Sequence, residues 1–202
     1  MRAMSPAAPP GPFIRPTLLQ RLARSLLTAA GWKAVYEPLP GPKGLVIVYP
    51  HTSNWDFIVG VLYKFAVGLP ANWVGKDTLF RWPLGPLFQR IGGIPVNRSK
   101  SSGFVRALLD EFKRRDMMWV ALAPEGTRSH SDHWKSGFYR IAVAAGLPVG
   151  LGYIDYGTRT LGIDTYVTLS GNPDADMERL REFYADKRGR TPGNAGEIRL
   201  RP

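Results

Sequence analysis

The stretch that decides the fold is an apolar run followed by a polar turn: Gly44-Leu45-Val46-Ile47-Val48-Tyr49-Pro50-His51-Thr52-Ser53-Asn54-Trp55-Asp56. Residues 44–49 are almost all apolar and include three β-branched side chains, which is typical of a strand covered on both faces. Pro50 ends this strand, because proline has no backbone N–H to donate to a neighbouring strand. His51 and Asp56 are therefore predicted just beyond the end of a buried strand.

Strands and helices are predicted to alternate along the rest of the chain. Short strand patterns occur at residues 72–75, 93–96, 118–121, 148–153 and 164–169. Apolar residues at helical spacing occur at residues 55–67, 103–114 and 137–145. This alternation predicts an α/β fold, a single domain with a mostly parallel central sheet flanked by helices. A chain of 202 residues is long enough for one such core.

The composition divides the chain into four parts. Residues 1–16 contain five prolines and lack the continuous apolar core of a secretory signal, so we expect a flexible lead. Residues 17–37 are predicted to be an amphipathic, basic helical segment, and residues 38–185 the main domain. Residues 186–202 are basic, glycine-rich and poor in apolar residues, which predicts a loosely ordered tail.

The helical segment at 17–37 has two possible roles. Its leucines recur at helical spacing with arginines between them, and it is too short and too charged to span about 30 Å of hydrocarbon. It could lie in the headgroup region of a membrane as an interfacial anchor. It could equally pack its leucines on the domain, and the sequence leaves both roles open.

The chain is strongly basic, with 27 Lys and Arg against 16 Asp and Glu and a formal net charge of +11. This excess favours anionic partners, namely an anionic membrane surface or phosphate-bearing small molecules. The sequence contains neither a recognition helix nor a repeated aromatic and basic surface. We therefore predict no nucleic acid partner.

The absence of cysteine excludes disulfides and thiolate metal sites, and it is typical of a reducing compartment such as the cytoplasm. An acyl or phosphoryl transfer in this protein cannot pass through a protein thiol. His130 and His133 lie in a polar loop, but a zinc site needs three or four protein ligands. We predict neither a metal site nor a bound cofactor.

His51 and Asp56 together suggest a general base. A carboxylate that holds one ring nitrogen of a histidine sets its tautomer and raises the basicity of the other nitrogen. A second interpretation is local, because Ser53-x-x-Asp56 has the form of a capping box in which the carboxylate returns to the backbone. Both roles could hold if the start of the helix aims Asp56 at His51.

Two further polar segments follow predicted strands, where open α/β sheets bind their ligands. The first contains Arg98, and the second reads Glu125-Gly126-Thr127-Arg128. Arginine binds phosphate through a planar fork, and glycine lets backbone amides approach an anion closely. A phosphate-bearing substrate would fit there. The alternative is a surface turn with solvated charges, and Arg98 and Lys76 have the same alternative.

In their order along the chain, these motifs resemble the four sequence blocks of the PlsC-like glycerolipid acyltransferases. The resemblance covers roughly residues 44–170 and rests on His51-x4-Asp56, on Lys76-Asp77-Thr78-Leu79 followed by Gly92-Gly93-Ile94-Pro95-Val96-Asn97-Arg98, on Pro124-Glu125-Gly126-Thr127-Arg128-Ser129, and on Leu147-Pro148-Val149. It implies a glycerol-3-phosphate acyltransferase-like fold and an O-acyltransferase activity that needs no cofactor.

The resemblance also implies roles for individual residues. His51 would take the proton from the acceptor hydroxyl, and Asp56 would orient His51. The hydroxyl would attack the carbonyl of an acyl thioester, carried by coenzyme A or by acyl carrier protein, and the thiol would leave. The residues implied in binding the phosphate-bearing acceptor are Lys76, Arg98, Glu125, Gly126, Thr127 and Arg128.

The acceptor that the resemblance favours is 1-acyl-sn-glycerol 3-phosphate, in phospholipid biosynthesis. Glycerol 3-phosphate, another lysophospholipid or a lyso-aminolipid are alternative acceptors for the same chemistry. A non-enzymatic protein that binds anionic lipid or nucleic acid through its charge is a further alternative. We expect the protein in the cytoplasm, peripherally associated with the inner face of the membrane.

Overall fold

The structure is a computed structural model that describes residues 16–96 and 101–201. Its strands are β1 (Lys33–Tyr36), β2 (Lys43–Val48), β3 (Ala71–Lys76), β4 (Gly93–Val96), β5 (Met118–Leu122), β6 (Val149–Asp155) and β7 (Thr160–Val167). Its helices are α1 (Leu18–Ala29), α2 (Trp55–Val67), α3 (Gly85–Arg90), α4 (Ser101–Arg114), α5 (Gly137–Ala145) and α6 (Pro173–Tyr184), with 3₁₀ turns at Asp77–Phe80 and Pro192–Asn194.

The described strands form one seven-stranded sheet in the order β1-β7-β6-β2-β5-β3-β4. All neighbouring strands are parallel except β6 and β7, which form an antiparallel pair. The predicted fold, a single α/β domain with a mostly parallel sheet, is confirmed. Ile47 of β2 pairs with Leu122 of β5, so the polar segments that follow these two strands begin side by side.

Helices cover both faces of the sheet. Ile47 belongs to a core shared with α4, α5 and α6, whereas its neighbour Val46 belongs to a core shared with α1 and α2. Both side chains are at most 1% exposed, which explains why β2 reads as a continuous apolar run rather than an alternating one. On the second face α3 lies beside α2, with the Phe57 and Phe88 rings 5.7 Å apart.

The sequence prediction missed three elements and displaced one. β1 is a four-residue edge strand with β7 as its partner, and so short a run carries little periodicity. α3 has only six residues, which is too short for a clear helical pattern. α6 was missed although it begins with recognisable signals, a cap by Asn172 and Pro173 in the first turn. β7 begins four residues before its predicted start, because a short turn after Asp155 returns the chain at once to pair with β6.

Both ends of the described chain are attached to the domain by packing and hydrogen bonds, although the sequence predicted separate segments there. Residues after α1 enter the sheet as β1, so the segment at 17–37 is not a separate helical unit. α1 buries Ala23 and Leu27 against α2, so this helix packs on the domain, as one of its two possible roles requires. The other leucines of α1 are exposed. Residues 186–201 depart from the expectation of a loosely ordered tail, because their backbone is hydrogen-bonded across the domain. None of the described helices has the length and apolar character to cross a membrane.

Candidate active site

His51 and Asp56 face each other at the carboxyl end of β2. The chain leaves β2 at Val48 and enters α2 at Trp55, so Asp56 falls in the first turn of that helix. The Nδ1 atom of His51 lies 3.4 Å from Oδ2 of Asp56. The His51 side chain is 19% exposed and that of Asp56 is 1% exposed, so the pair is shielded from water on its Asp56 side.

Asp56 combines the two roles that its sequence suggested. Its Oδ2 accepts hydrogen bonds from the backbone N–H of Thr52 and Ser53, both at 2.8 Å, although the helix cap itself is Asn54 rather than Ser53. Its Oδ1 accepts a hydrogen bond from the hydroxyl of Tyr156 at 2.8 Å. Burial by itself would raise the pKa of Asp56, but hydrogen bonds from His51, Ser53 and Tyr156 outweigh it and lower that pKa. Asp56 therefore stays ionised beside His51.

The second ring nitrogen of His51 points to Arg128. The Nε–H of Arg128 donates to Nε2 of His51 at 3.3 Å. Since arginine is only a donor, this contact requires an unprotonated Nε2 and places the ring proton on Nδ1, toward Asp56. A neutral imidazole in this tautomer has on Nε2 the lone pair that a general base needs.

Glu125 lies beneath the His51 loop. Its carboxylate accepts the backbone N–H of His51 at 2.9 Å and that of Gly196 at 3.0 Å, and the residue is 1% exposed. Burial raises the pKa of Glu125 to about 7, because loss of water outweighs the two backbone hydrogen bonds and the charge of Asp56 adds repulsion. Its predicted contact with the acceptor does not fit this position, since both carboxylate oxygens face backbone amides.

Of the other residues predicted to bind the acceptor, four line a cavity and one lies outside the described residues. Gly126, Thr127 and Arg128 line a cavity beside His51, and Gly126 forms the turn with a φ of 66°. Lys76, at the end of β3, lines the same cavity. Arg98 lies outside the described residues.

The cavity has a volume of about 900 Å³, and its lining includes both apolar and basic side chains. Its apolar wall follows α2 and the strands beneath it, and includes Val46, Phe57, Gly60, Val61, Leu69, Ala71 and Trp73. Its basic side chains are Lys64, Lys76, Arg128, Lys135, Arg140 and Arg201. Asp56 is the single carboxylate among the described residues of its lining, so the charged part of the cavity favours an anion.

Sequence reasoning missed Tyr156, Lys135 and Arg140. Tyr156 comes from the turn between β6 and β7, a hundred positions from Asp56, and nothing in its local sequence signals the contact. Lys135 and Arg140 flank the start of α5, where they read as ordinary exposed charges. The described residues contain no group of three or more His, Asp or Glu side chains that could hold a metal ion.

The site lies in the part of the chain that a known family covers. The sequence profile of the Acyltransferase family matches residues 34–150, more than half of the chain. The chain therefore belongs to the Acyltransferase family and is an acyltransferase enzyme. This result confirms the resemblance seen in the motifs and sets aside a purely non-enzymatic binding protein.

The fold has a counterpart among solved structures. It is similar to the crystal structure of the 1-acyl-sn-glycerophosphate (LPA) acyltransferase PlsC from Thermotoga maritima, with a TM-score of 0.53. The two sequences are 20% identical, and the match covers 83% of this chain and 75% of that chain. At this identity the likeness concerns the fold. No curated protein was found to match the sequence.

Proposed function

We propose that this acyltransferase moves a fatty acyl group from an acyl thioester to the hydroxyl of a phosphate-bearing glycerolipid, with 1-acyl-sn-glycerol 3-phosphate as the leading acceptor in phospholipid biosynthesis. One observation carries the proposal: the unprotonated Nε2 of His51 lies at a cavity whose lining combines basic side chains with an apolar wall. Such a cavity matches a substrate with an anionic head and a long hydrocarbon chain.

His51 would act as the general base. Its Nε2 takes the hydroxyl proton while the oxygen attacks the thioester carbonyl carbon, and the developing imidazolium is stabilised by ionised Asp56. When the tetrahedral intermediate collapses, the carbon–sulfur bond breaks and the proton passes from His51 to the leaving thiolate. A base of this kind contributes about a hundredfold to ten-thousandfold to the rate. The rest would come from holding the two substrates together and stabilising the oxyanion.

Arg128 would change partners during the cycle. Without substrate its guanidinium donates to Nε2 of His51, the atom that the acceptor hydroxyl needs. A bound phosphate would offer Arg128 a charged acceptor, which makes a stronger hydrogen bond than a neutral imidazole does. Binding of the acceptor would thus free His51 at the moment its hydroxyl arrives.

The hydrocarbon part of the substrates would lie along the apolar wall that follows α2. A helix of 13 residues is about 20 Å long, and the lining continues from Phe57 near its start to Leu69 beyond its end. Coenzyme A and acyl carrier protein are both candidate donors, because the cavity residues named above would contact the acyl and phosphate groups that both donors carry.

Peripheral attachment to an anionic membrane, at the cytoplasmic face, belongs to the same proposal. Ten of the twelve large apolar side chains that are exposed among the described residues lie on α1, on α2 or between Leu79 and Leu87. These elements cover one face of the sheet, and arginines are interspersed among them. An apolar surface with basic residues is the kind that lies on anionic lipid.

The acceptor is tested by supplying a labelled acyl thioester with each candidate in turn. The panel holds 1-acyl-sn-glycerol 3-phosphate, glycerol 3-phosphate, a zwitterionic lysophospholipid and a lyso-aminolipid, with coenzyme A and acyl carrier protein donors in parallel, and products are read by lipid mass. Product from the first acceptor at the highest kcat/KM supports the proposal. The absence of product from every glycerol-phosphate acceptor would refute it.

The base is tested by His51→Ala. We expect the variant to fold and bind vesicles like the wild type while its transfer rate falls by about a hundredfold to ten-thousandfold. Undiminished turnover would exclude His51 as the base.

A further inference from the structure

The C-terminal segment, residues 188–201, lies across the active site. It follows the part of the chain that the family profile matches. Backbone hydrogen bonds fasten both of its ends: the carbonyl of Arg188 accepts from the N–H of Tyr156 at 2.8 Å, and that of Arg199 accepts from the N–H of Trp134 at 2.7 Å. The segment is therefore held on the β6–β7 turn at one end and on the loop before α5 at the other.

The first part of the segment presses on the loop that carries His51. Gly189 is buried, and a Cβ built on it would lie 2.6 Å from Oγ1 and 2.8 Å from Cγ2 of Thr52. The N–H of Thr191 donates to the same Thr52 hydroxyl at 3.2 Å. Thr52 in turn donates its backbone N–H to Asp56. Glycine at position 189 thus allows a close approach that any side chain would prevent.

The second part of the segment holds Glu125. The N–H of Gly196 satisfies one carboxylate oxygen, and the N–H of His51 satisfies the other. The carbonyl of Gly196 accepts from the hydroxyl of Tyr49 at 3.0 Å, which fixes it to the end of β2. Glu125 is therefore a bridge from the segment to the backbone of His51. A buried carboxylate needs such partners, since an unsatisfied one is costly.

We propose that the C-terminal segment is a positioning element of the active site, which holds the loop at 51–56 so that His51 faces the cavity. The loop contacts it twice, through Thr52 and through Glu125. The segment touches no reacting atom in this role. It acts through orientation, and a displacement of the base by about 1 Å can lower a rate about a hundredfold. The inference rests on the proposed function for the reaction that it supports.

The test compares two glycines within the segment. Gly189→Ala forces a Cβ against Thr52, whereas a Cβ at Gly193 would meet no described atom within 4 Å, so Gly193→Ala is the matched control. We expect Gly189→Ala to lower kcat by about tenfold to a hundredfold with the KM of both substrates changed by less than about twofold. Gly193→Ala should retain the wild-type values.

A second substitution separates a local clash from general damage. Thr52→Ala removes the two nearest atoms that the new Cβ would meet and leaves the Cβ of Pro50 at 3.2 Å. Because it also removes the hydroxyl that accepts from Thr191, Thr52→Ala is measured alone as the reference. Adding Gly189→Ala to it should lower kcat by a smaller factor than adding Gly189→Ala to the wild type. Hydrogen exchange supplies a readout that is independent of activity. The amides of His51, Thr52 and Ser53 donate to Glu125 or Asp56, and their exchange should accelerate in Gly189→Ala but not in Gly193→Ala.

The outcomes are distinct. Wild-type kcat and exchange in Gly189→Ala would overturn the inference, as would an equal loss in both glycine variants. A loss from Gly189→Ala that is as large in the Thr52→Ala background as in the wild type would also overturn it. If the wild type transfers no acyl group to any acceptor, the proposed function fails by itself. In that case the exchange of residues 51–53 still decides whether the segment positions the loop.

Discussion

His51 is held between side chains of opposite charge, and each contact sets one feature of its chemistry. Asp56, on the Nδ1 side, would stabilise the positive charge that develops if the ring takes a proton in the proposed reaction. Arg128, on the Nε2 side, favours the unprotonated nitrogen before substrate arrives. Since Asp56 also accepts two backbone amides and the Tyr156 hydroxyl, its position is set from several directions.

Tyr156→Phe tests how far Asp56 depends on its distant partner. The substitution removes a hydrogen bond to a charged acceptor, so we expect kcat to fall by about tenfold. Steady-state kinetics with the best acceptor measures the effect. Tyr166→Phe is the matched control, because its hydroxyl donates to the backbone of Glu37 instead. Equal rates in the two variants would exclude a role for the Tyr156 hydroxyl.

Glu125 makes stability depend on pH in a defined window. Its pKa is about 7 in the folded chain against a usual 4.5, so folding takes up a proton between these values. Stability from this group is therefore present below the lower value and falls as pH rises through the window, by up to about 1.4 kcal/mol per pH unit.

Glu125→Gln removes this titration. Urea unfolding across the window should give a wild-type stability that falls with rising pH relative to that of the variant. The difference between the two proteins isolates Glu125 from other titrating groups. Parallel stability curves would contradict the raised pKa.

At the scale of elements, α2 links the His51–Asp56 pair to the apolar wall of the cavity. Its first turn carries Asp56, one side packs on α1, and another side lines the cavity through Phe57, Gly60 and Val61. A change in the middle of this helix can therefore alter the space for substrate without touching the His51–Asp56 pair.

Gly60→Leu should shorten the acyl chain that the enzyme prefers. A Cβ at Gly60 would meet no described atom within 4 Å, and the position lines the cavity, so a leucine side chain would project into the space proposed for hydrocarbon. Competition among acyl thioesters of different length, read by product mass, measures the preference.

Gly103→Leu is the control for this change. It also lies in a helix and would have no described atom within 4 Å of its Cβ, but it is exposed and outside the cavity lining. We expect its chain-length preference to equal that of the wild type. An unchanged preference in Gly60→Leu would move the hydrocarbon site elsewhere.

At the scale of the whole molecule, the exposed apolar side chains are concentrated on one face. Leu22 of α1 is 56% exposed and Trp82, before α3, is 87% exposed, and both belong to the helical layer that covers this face. The same layer forms a wall of the cavity through α2. A membrane on this side would bring lipid substrates to the layer that encloses the proposed acyl site.

Leu22→Asp and Trp82→Asp should each weaken flotation with anionic vesicles. If the membrane buries these side chains, loss of one of them should weaken membrane binding by about 1.5–3 kcal/mol, or about tenfold or more in partitioning. Met117→Asp is the control, since Met117 is 63% exposed just before β5 and outside this layer. Point variants are preferable to removal of α1, which would uncover Leu27. Equal flotation of all four proteins would remove this surface from the proposal.

Local pattern predicted the elements whose signals are strong and self-contained. α2 and α5 have the bounds that apolar periodicity predicted, and β2 follows its continuous apolar run. The α/β class came from alternation, and the motif order identified the family. The sequence pattern did not predict β1 or the ordered tail at residues 186–201. Both are held by hydrogen bonds to distant strands and loops, which leave no periodic pattern in their own residues.

The candidate site could likewise be predicted only in part. His51, Asp56 and Arg128 could be predicted because they follow buried strands, and parallel strands bring their carboxyl ends to one edge. Their distances, the tautomer of His51 and the contacts of Tyr156, Gly189 and Gly196 could not. Residues that are a hundred or more positions apart meet because the sheet order and the path of the chain bring them together. Local propensity acts over a few residues, and side-chain contacts depend on the packing of the whole domain.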